Sequence, residues 1–122
     1  MTMKNEKLMH DWMVSYLKDR LARDYTNVRI NLGGEKSNEF NGHYPDLILE
    51  NHGLVLSIME VETAGTITRE KADEWKTLSG LGVKLILMVP RASKTKVLDL
   101  LWKQGIAGKA SVGSYELNVS MP

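Results

Sequence analysis

The sequence predicts an α/β domain in which one mixed central sheet is flanked by helices. Three observations carry this expectation. Period-two and continuous apolar runs of strand length alternate with segments of helical periodicity. Two of the strand runs are joined by a connection too short for anything but a hairpin. The later strand runs alternate with helical segments, which makes one mixed sheet flanked by helices the economical architecture. The elements follow in the order αβββαβαβ, and no repeat or low-complexity segment divides residues 1 to 122, so a single domain is expected.

Residues 4 to 24 place Leu8, Met9, Trp12, Met13, Tyr16, Leu17 and Leu21 at three- and four-residue spacing, with Lys18, Asp19 and Arg20 between them, which predicts an amphipathic helix. Asn27 to Leu32 alternates Val28, Ile30 and Leu32 with polar residues and ends at Gly33-Gly34, the pattern of a strand. Glu35 to Gly42 is polar and glycine-containing and reads as a mobile loop leading to Asp46. Residues 44 to 50 and 54 to 62 are β-rich and flank a three-residue connection, Asn51-His52-Gly53, which predicts the hairpin. From Thr66 to Ser79, Ile67, Lys71, Trp75 and Leu78 form a helical stripe, with Thr68 as the cap and Gly80 or Gly82 as the stop. Val83 to Val89 is a buried central strand that Pro90 terminates. Ser93 caps a third helix with Val97, Leu98, Leu101 and Trp102 on its apolar face and Gly105 at its end. Ser111 to Val119 closes the order as an edge strand.

Composition narrows the chemistry. Apolar residues make up 43% and charged residues 25%, ordinary globular values. With no cysteine, disulfides and thiolate metal sites are excluded, and a metal would have to be held by carboxylate oxygen or imidazole, which favours a hard cation. The charged opening MTMKNEKLMHDW lacks the apolar core of a signal peptide, and no run reaches the roughly 18 residues of a membrane span, so a cytoplasmic protein without a membrane partner is expected. The net charge of +1 conceals a division. Residues 35 to 62 carry six acids against one base, whereas residues 84 to 109 carry six bases against one acid, Asp99. An acidic centre beside a basic flank suits a metal site that handles a polyanion.

Strand parity sharpens the acidic centre. Glu60 and Glu62 share a face with Leu54, Leu56 and Ile58, and Asp46 shares one with Ile48 and Glu50. If the turn sets Glu50 opposite Leu54, Asp46 opposes Ile58 and lies diagonal to Glu60 on the same face. A one-residue slip would separate them. Carboxylates crowded at the ends of apolar strands call for a cation, and Mg2+ or Mn2+ with retained waters answers that need.

Pro45-Asp46, followed fourteen positions later by Glu60-Val61-Glu62, on a hairpin within an αβββαβαβ order, resembles the PD-(D/E)xK, or restriction-endonuclease-like, nucleases over nearly the whole chain. The resemblance implies a Mg2+- or Mn2+-dependent nuclease, a hydrolase of DNA rather than RNA. Asp46 and Glu60 would be the metal ligands and the Val61 carbonyl a further one. The family usually places a lysine where this chain has Glu62. Some relatives use a second acid there, as ligand or general base, and others carry the lysine on the following helix, for which Lys71 is the candidate. Relatives also contribute an acid from the first helix, matched by Glu6 or Asp11. Among the histidines, His10 and His52 read as structural or solvated, and His43, three residues before Asp46, as a phosphate contact. Arg91, Lys94 and Lys96 surround the start of the third helix and form the candidate nucleic-acid contact, although no aromatic interleaves them as a stacking surface would need. No specificity domain is visible, so shape recognition, a homodimer or a partner subunit is implied. The alternative is an inactive nuclease-like module that binds nucleic acid or serves in assembly.

Overall fold

The computed structural model describes residues 2 to 117, with side chains from residue 5 onward. It is an α/β domain whose elements are α1 (Thr2–Leu21), β1 (Asn27–Ile30), β2 (Leu47–Asn51), β3 (Leu54–Val61), α2 (Arg69–Ser79), β4 (Lys84–Pro90), α3 (Lys94–Lys103) and β5 (Ala110–Tyr115). The five strands form one mixed sheet in the order β1-β2-β3-β4-β5. β1, β2 and β3 are antiparallel neighbours, and β4 and β5 join in parallel through the crossovers α2 and α3. No described helix is long and apolar enough to cross a membrane.

The sheet has a helix layer on each face, and strand parity sorts the core into two halves. Leu47, Leu49, Met59 and Val61 bury one face under Met13, Val14 and Leu17 of α1. Ile48, Ile58, Leu85, Leu87 and Val89 bury the other under Trp75 and Leu78 of α2 and Val97 and Leu101 of α3. β4 is an interior strand as its sequence indicates, with Leu85, Leu87 and Val89 buried and Ile86 and Met88 half-buried. β5 lies at the edge; Val119, assigned to it by periodicity, lies outside the described residues.

Several local expectations are corrected. The hairpin turn is two residues, not three: Asn51 pairs with Leu54, and His52 and Gly53 both adopt positive φ (52° and 82°), as type I′ turns require. Continued unchanged, that register would set Asp46 opposite Met59 and turn it to the α1 face. The ladder instead shifts at Leu49/Glu50, so that Glu50 pairs with Val55 and Leu49 with Ser57, which leaves Leu56 as an unpaired bulge residue. Beyond it Ile48 pairs with Ile58 and Leu47 with Met59, a register that carries Asp46 opposite Glu60 rather than diagonal to it. Leu54, beside the turn, and Leu56, at the bulge, are exposed.

The helix faces also differ from expectation. In α1 the buried stripe is Met13, Val14 and Leu17, while Leu8, Trp12 and Tyr16 face outward, with the Trp12 and Tyr16 rings stacked at 5.5 Å. In α3, Val97 and Leu101 are buried, but Leu98 and Trp102 are exposed. Ser93 does not cap α3. It closes a 3-10 turn, Arg91–Ser93, that runs directly into the helix. Thr68 does cap α2, accepting from the Lys71 amide at 3.1 Å. The loop before Asp46 is anchored rather than loose. The Asn31 amide group donates to the carbonyls of Asn38 (2.8 Å) and Pro45 (2.7 Å), and its oxygen accepts from the Asn38 amide at 2.7 Å.

Candidate functional site

β2 and β3 separate at the end of the hairpin remote from its turn, and two carboxylates close the gap. The Asp46 amide donates to Glu60 Oε2 at 2.8 Å, and the Val61 amide donates to Asp46 Oδ2 at 2.8 Å. This exchange replaces the ladder bonds that the splayed strands no longer make. Asp46 and Glu60 are therefore fixed to the backbone of the opposite strand, the kind of rigid support a reactive group needs. Oδ1 of Asp46 and Oε1 of Glu60 carry no hydrogen bond among the described residues.

The electrostatics of the pair are unbalanced. Glu60 is only 8% exposed; burial, and then the charge of Asp46, push its carboxyl up to about 8. Asp46 has a partner from the other layer: His10 Nε2 lies 3.0 Å from Asp46 Oδ2, and His10 Nδ1 lies 2.9 Å from Asp11 Oδ1. Burial alone would lower the His10 pKa, but the two carboxylates hold it up at about 9, so the imidazole is a cation at neutral pH. Asp11 also accepts from the Gly33 amide at 3.1 Å. Of the two first-helix acids, Asp11 thus reaches Asp46 through His10. Glu6 instead accepts from the Gly65 amide at 3.0 Å, at a turn where any side chain on residue 65 would collide with that carboxylate.

Glu62 is built differently. It is 1% exposed, its Oε2 accepts from Trp75 Nε1 at 2.9 Å, and its Oε1 lies 2.7 Å from Thr66 Oγ1. Burial raises its pKa, opposed by Lys71, Trp75 and Thr66. Its backbone is held as well: the amide donates to the Met88 carbonyl (2.8 Å), and the Tyr115 hydroxyl donates to its carbonyl (2.6 Å). Burial, with the nearby Glu62 charge, pushes that hydroxyl up to about 12, so it stays a donor. Lys71 comes near the acids, and although burial opposes its charge, Glu62 and Glu60 help hold its pKa above the ordinary value. Its ammonium points to Glu74, 3.2 Å away.

A cavity of about 260 Å³ opens beside Glu60, lined by His43, Tyr44, Pro45, Glu74, Thr77 and Leu78. His43 therefore shares a wall with Glu60, while Asp46, three residues after it, does not line that cavity; His52 occupies the hairpin turn. Arg91, Lys94 and Lys96 are exposed where α3 leaves β4, at the sheet end that carries Glu62; Arg91 lies 3.5 Å from Glu116.

Sequence reading passed over His10 as a functional residue. Its signal was present: His10, Val14, Leu17 and Leu21 follow the spacing of one helix face. Among the described residues, no three His, Asp or Glu side chains are arranged to hold a metal ion. The donor set that remains is the unbonded oxygens of Asp46 and Glu60. That fits Mg2+, which commonly takes one or two carboxylates and keeps its waters. Comparisons with protein-family models, curated proteins and solved structures found no match to this chain.

Proposed function

We propose that this chain is a Mg2+- or Mn2+-dependent phosphodiesterase of the restriction-endonuclease-like class acting on DNA. The observation that carries the reading is the Asp46–Glu60 pair. Two carboxylates are pinned at splayed strand ends, each with an unbonded oxygen, and burial and then the Asp46 charge suppress the ionisation of Glu60. A divalent cation between the two carboxylates would favour the ionised form of Glu60 that burial opposes. The αβββαβαβ order and the mixed sheet support the same class.

Asp46 and Glu60 would hold the ion, which when bound supplies charge neutralisation at phosphate and a more acidic water. Lys71, set over the acids by α2, adds positive potential where phosphate charge develops. Arg91, Lys94 and Lys96 would meet the backbone of the polyanion at the same sheet end. His10, a cation 3.0 Å from Asp46 Oδ2, limits how much additional positive charge that carboxylate attracts.

A second reading has its own observation. Both Glu62 oxygens are committed to Trp75 and Thr66, so the residue standing where a catalytic lysine is usual behaves as a structural acid. This favours a nuclease-like module that binds DNA or assembles with a partner without cutting. Labelled single-stranded, duplex and branched DNA, incubated with Mg2+ or Mn2+, decides between the two. Cleavage that Asp46→Asn and Glu60→Gln each abolish supports the enzyme. DNA binding with no cleavage, and no Mn2+ uptake by calorimetry, establishes the second reading instead.

A further inference from the structure

We infer that the outer face of α3 is a binding surface for single-stranded nucleic acid, with Trp102 as its base-stacking residue. Large apolar side chains are normally the first to be buried, yet Trp102 is 77% exposed and Leu98, one turn before it, is 48% exposed. The helix buries Val97 and Leu101 instead, so this placement is set by the fold and is not a frayed end. Trp102 stands above a small hollow formed with Gly105, Ala107 and Gly108, open on the side where no side chain is large enough to cover the indole.

The setting of this apolar strip identifies the partner. Residues 84 to 109 carry six bases and one acid. Lys94, Lys96 and Lys109 are exposed and form no ion pair within the described residues, and the one acid, Asp99, is paired with Lys103 at 3.0 Å. Lys94, Leu98 and Trp102 follow one another at four-residue spacing on the exposed face of α3, and exposed aromatic surface in line with an unpaired lysine, within a segment of net positive charge, matches a polyanion with flat apolar faces. Duplex DNA hides those faces within its stack; a single strand presents them. From Lys94 to Trp102 the helix rises about 12 Å, room for two or three nucleotides of extended strand. The helix follows the end of β4 after one short turn, and in β4 the Met88 carbonyl receives the Glu62 amide, so a strand lying along α3 leads to the acidic end of the sheet. This surface deepens the DNA reading above but does not require catalysis.

The test is fluorescence anisotropy of a labelled twenty-nucleotide oligothymidine and of a duplex of equal length, in EDTA, with the full chain. Wild-type protein should bind the single strand in preference to the duplex, more weakly as salt rises. W102A should lose about tenfold or more in affinity, the usual scale for removing one stacked base, while W102F retains most of it. The double variant K94E/K96E should flatten the salt dependence. Unchanged thermal melting of W102A establishes that it is folded, as expected for an exposed side chain. The proposal is overturned if W102A binds the single strand as wild type does, if duplex is preferred, or if wild-type protein binds neither. It is also overturned if Trp102 proves to hold two copies together, seen as a dimer that W102A converts to monomer with no change in DNA binding. Asp46→Asn separates the two proposals, because it should abolish cleavage and leave this binding intact.

Discussion

Glu60, in β3, and Glu62, one residue past its end, stand at the same sheet end and have opposite surroundings. Glu60 borders a cavity, leaves one oxygen unbonded and is opposed by the charge of Asp46. Glu62 is enclosed, with a donor or hydroxyl at each oxygen and a tyrosine on its carbonyl. Two acids of the same type and parity have thus become an open and a closed position. The difference lies in what the neighbouring layer offers. α2 sets the Trp75 indole against Glu62, whereas its Glu74 and Thr77 leave space beside Glu60. An acid that is buried and fully bonded contributes to specifying the fold, and an acid that is buried and half-bonded is available to a ligand.

The largest expected effect tests the closed position. Trp75→Ala removes a fully buried indole and strands a buried carboxylate, and should cost about 5 kcal/mol in urea unfolding. Trp75→Phe keeps most of the volume and loses the N–H, at about 1–3 kcal/mol. If Trp75→Phe is as stable as wild type, the indole is not what holds Glu62, and the contrast with Glu60 collapses.

The open position is tested by pH. The Glu60 carboxyl moves from 4.5 to about 8 on folding, so the folded state binds its proton more tightly than the unfolded chain does. That contribution is complete below pH 4.5 and is lost as pH rises through 8. The His10 shift, from 6.5 to about 9, has the same sign. Metal-free protein should therefore lose stability steadily from pH 5 to pH 9, with the Glu60 part on the order of 4 kcal/mol. Glu60→Gln should flatten most of the decline, and saturating Mn2+ at pH 8 should restore stability to wild type but not to the variant. An unaltered pH profile in Glu60→Gln would show that burial and Asp46 do not hold the Glu60 proton as described.

Much of this arrangement was legible in the sequence, because strand parity and helical spacing are strong local signals. They placed the acids on a hairpin, and Trp75 and Lys71 on the stripe facing it. The register was not legible. A turn of two residues and an unpaired Leu56 have compensating effects on parity, so the correct face was inferred from a turn one residue too long. The helix faces failed for another reason. In α1 and α3 an exposed apolar stripe overlaps the buried one in periodicity, and spacing alone does not separate Trp12 from Val14 or Trp102 from Leu101. Nor does it show that His10, a polar residue on the buried stripe, would meet Asp46 across 36 positions.

That contact provides the smallest and most discriminating effect. His10 is either a resident cation, taking the place of part of a metal's charge, or an orienting group that holds Asp46 ready for one. The two roles predict opposite signs. As a resident cation, its removal in His10→Ala should tighten Mn2+ binding about tenfold, because a positive charge 3.0 Å from the Asp46 oxygen is gone. As an orienting group, its removal should weaken binding tenfold or more. The pKa of about 9 favours the first outcome, since a charged imidazole repels an incoming cation at neutral pH. Mn2+ affinity of wild-type protein, measured by calorimetry, should then strengthen as pH rises through 9, beyond the gain that Glu60 ionisation gives near 8, and this further gain should be absent from His10→Ala. Weaker binding in the variant with the pH response retained would place the controlling charge on Glu60 alone.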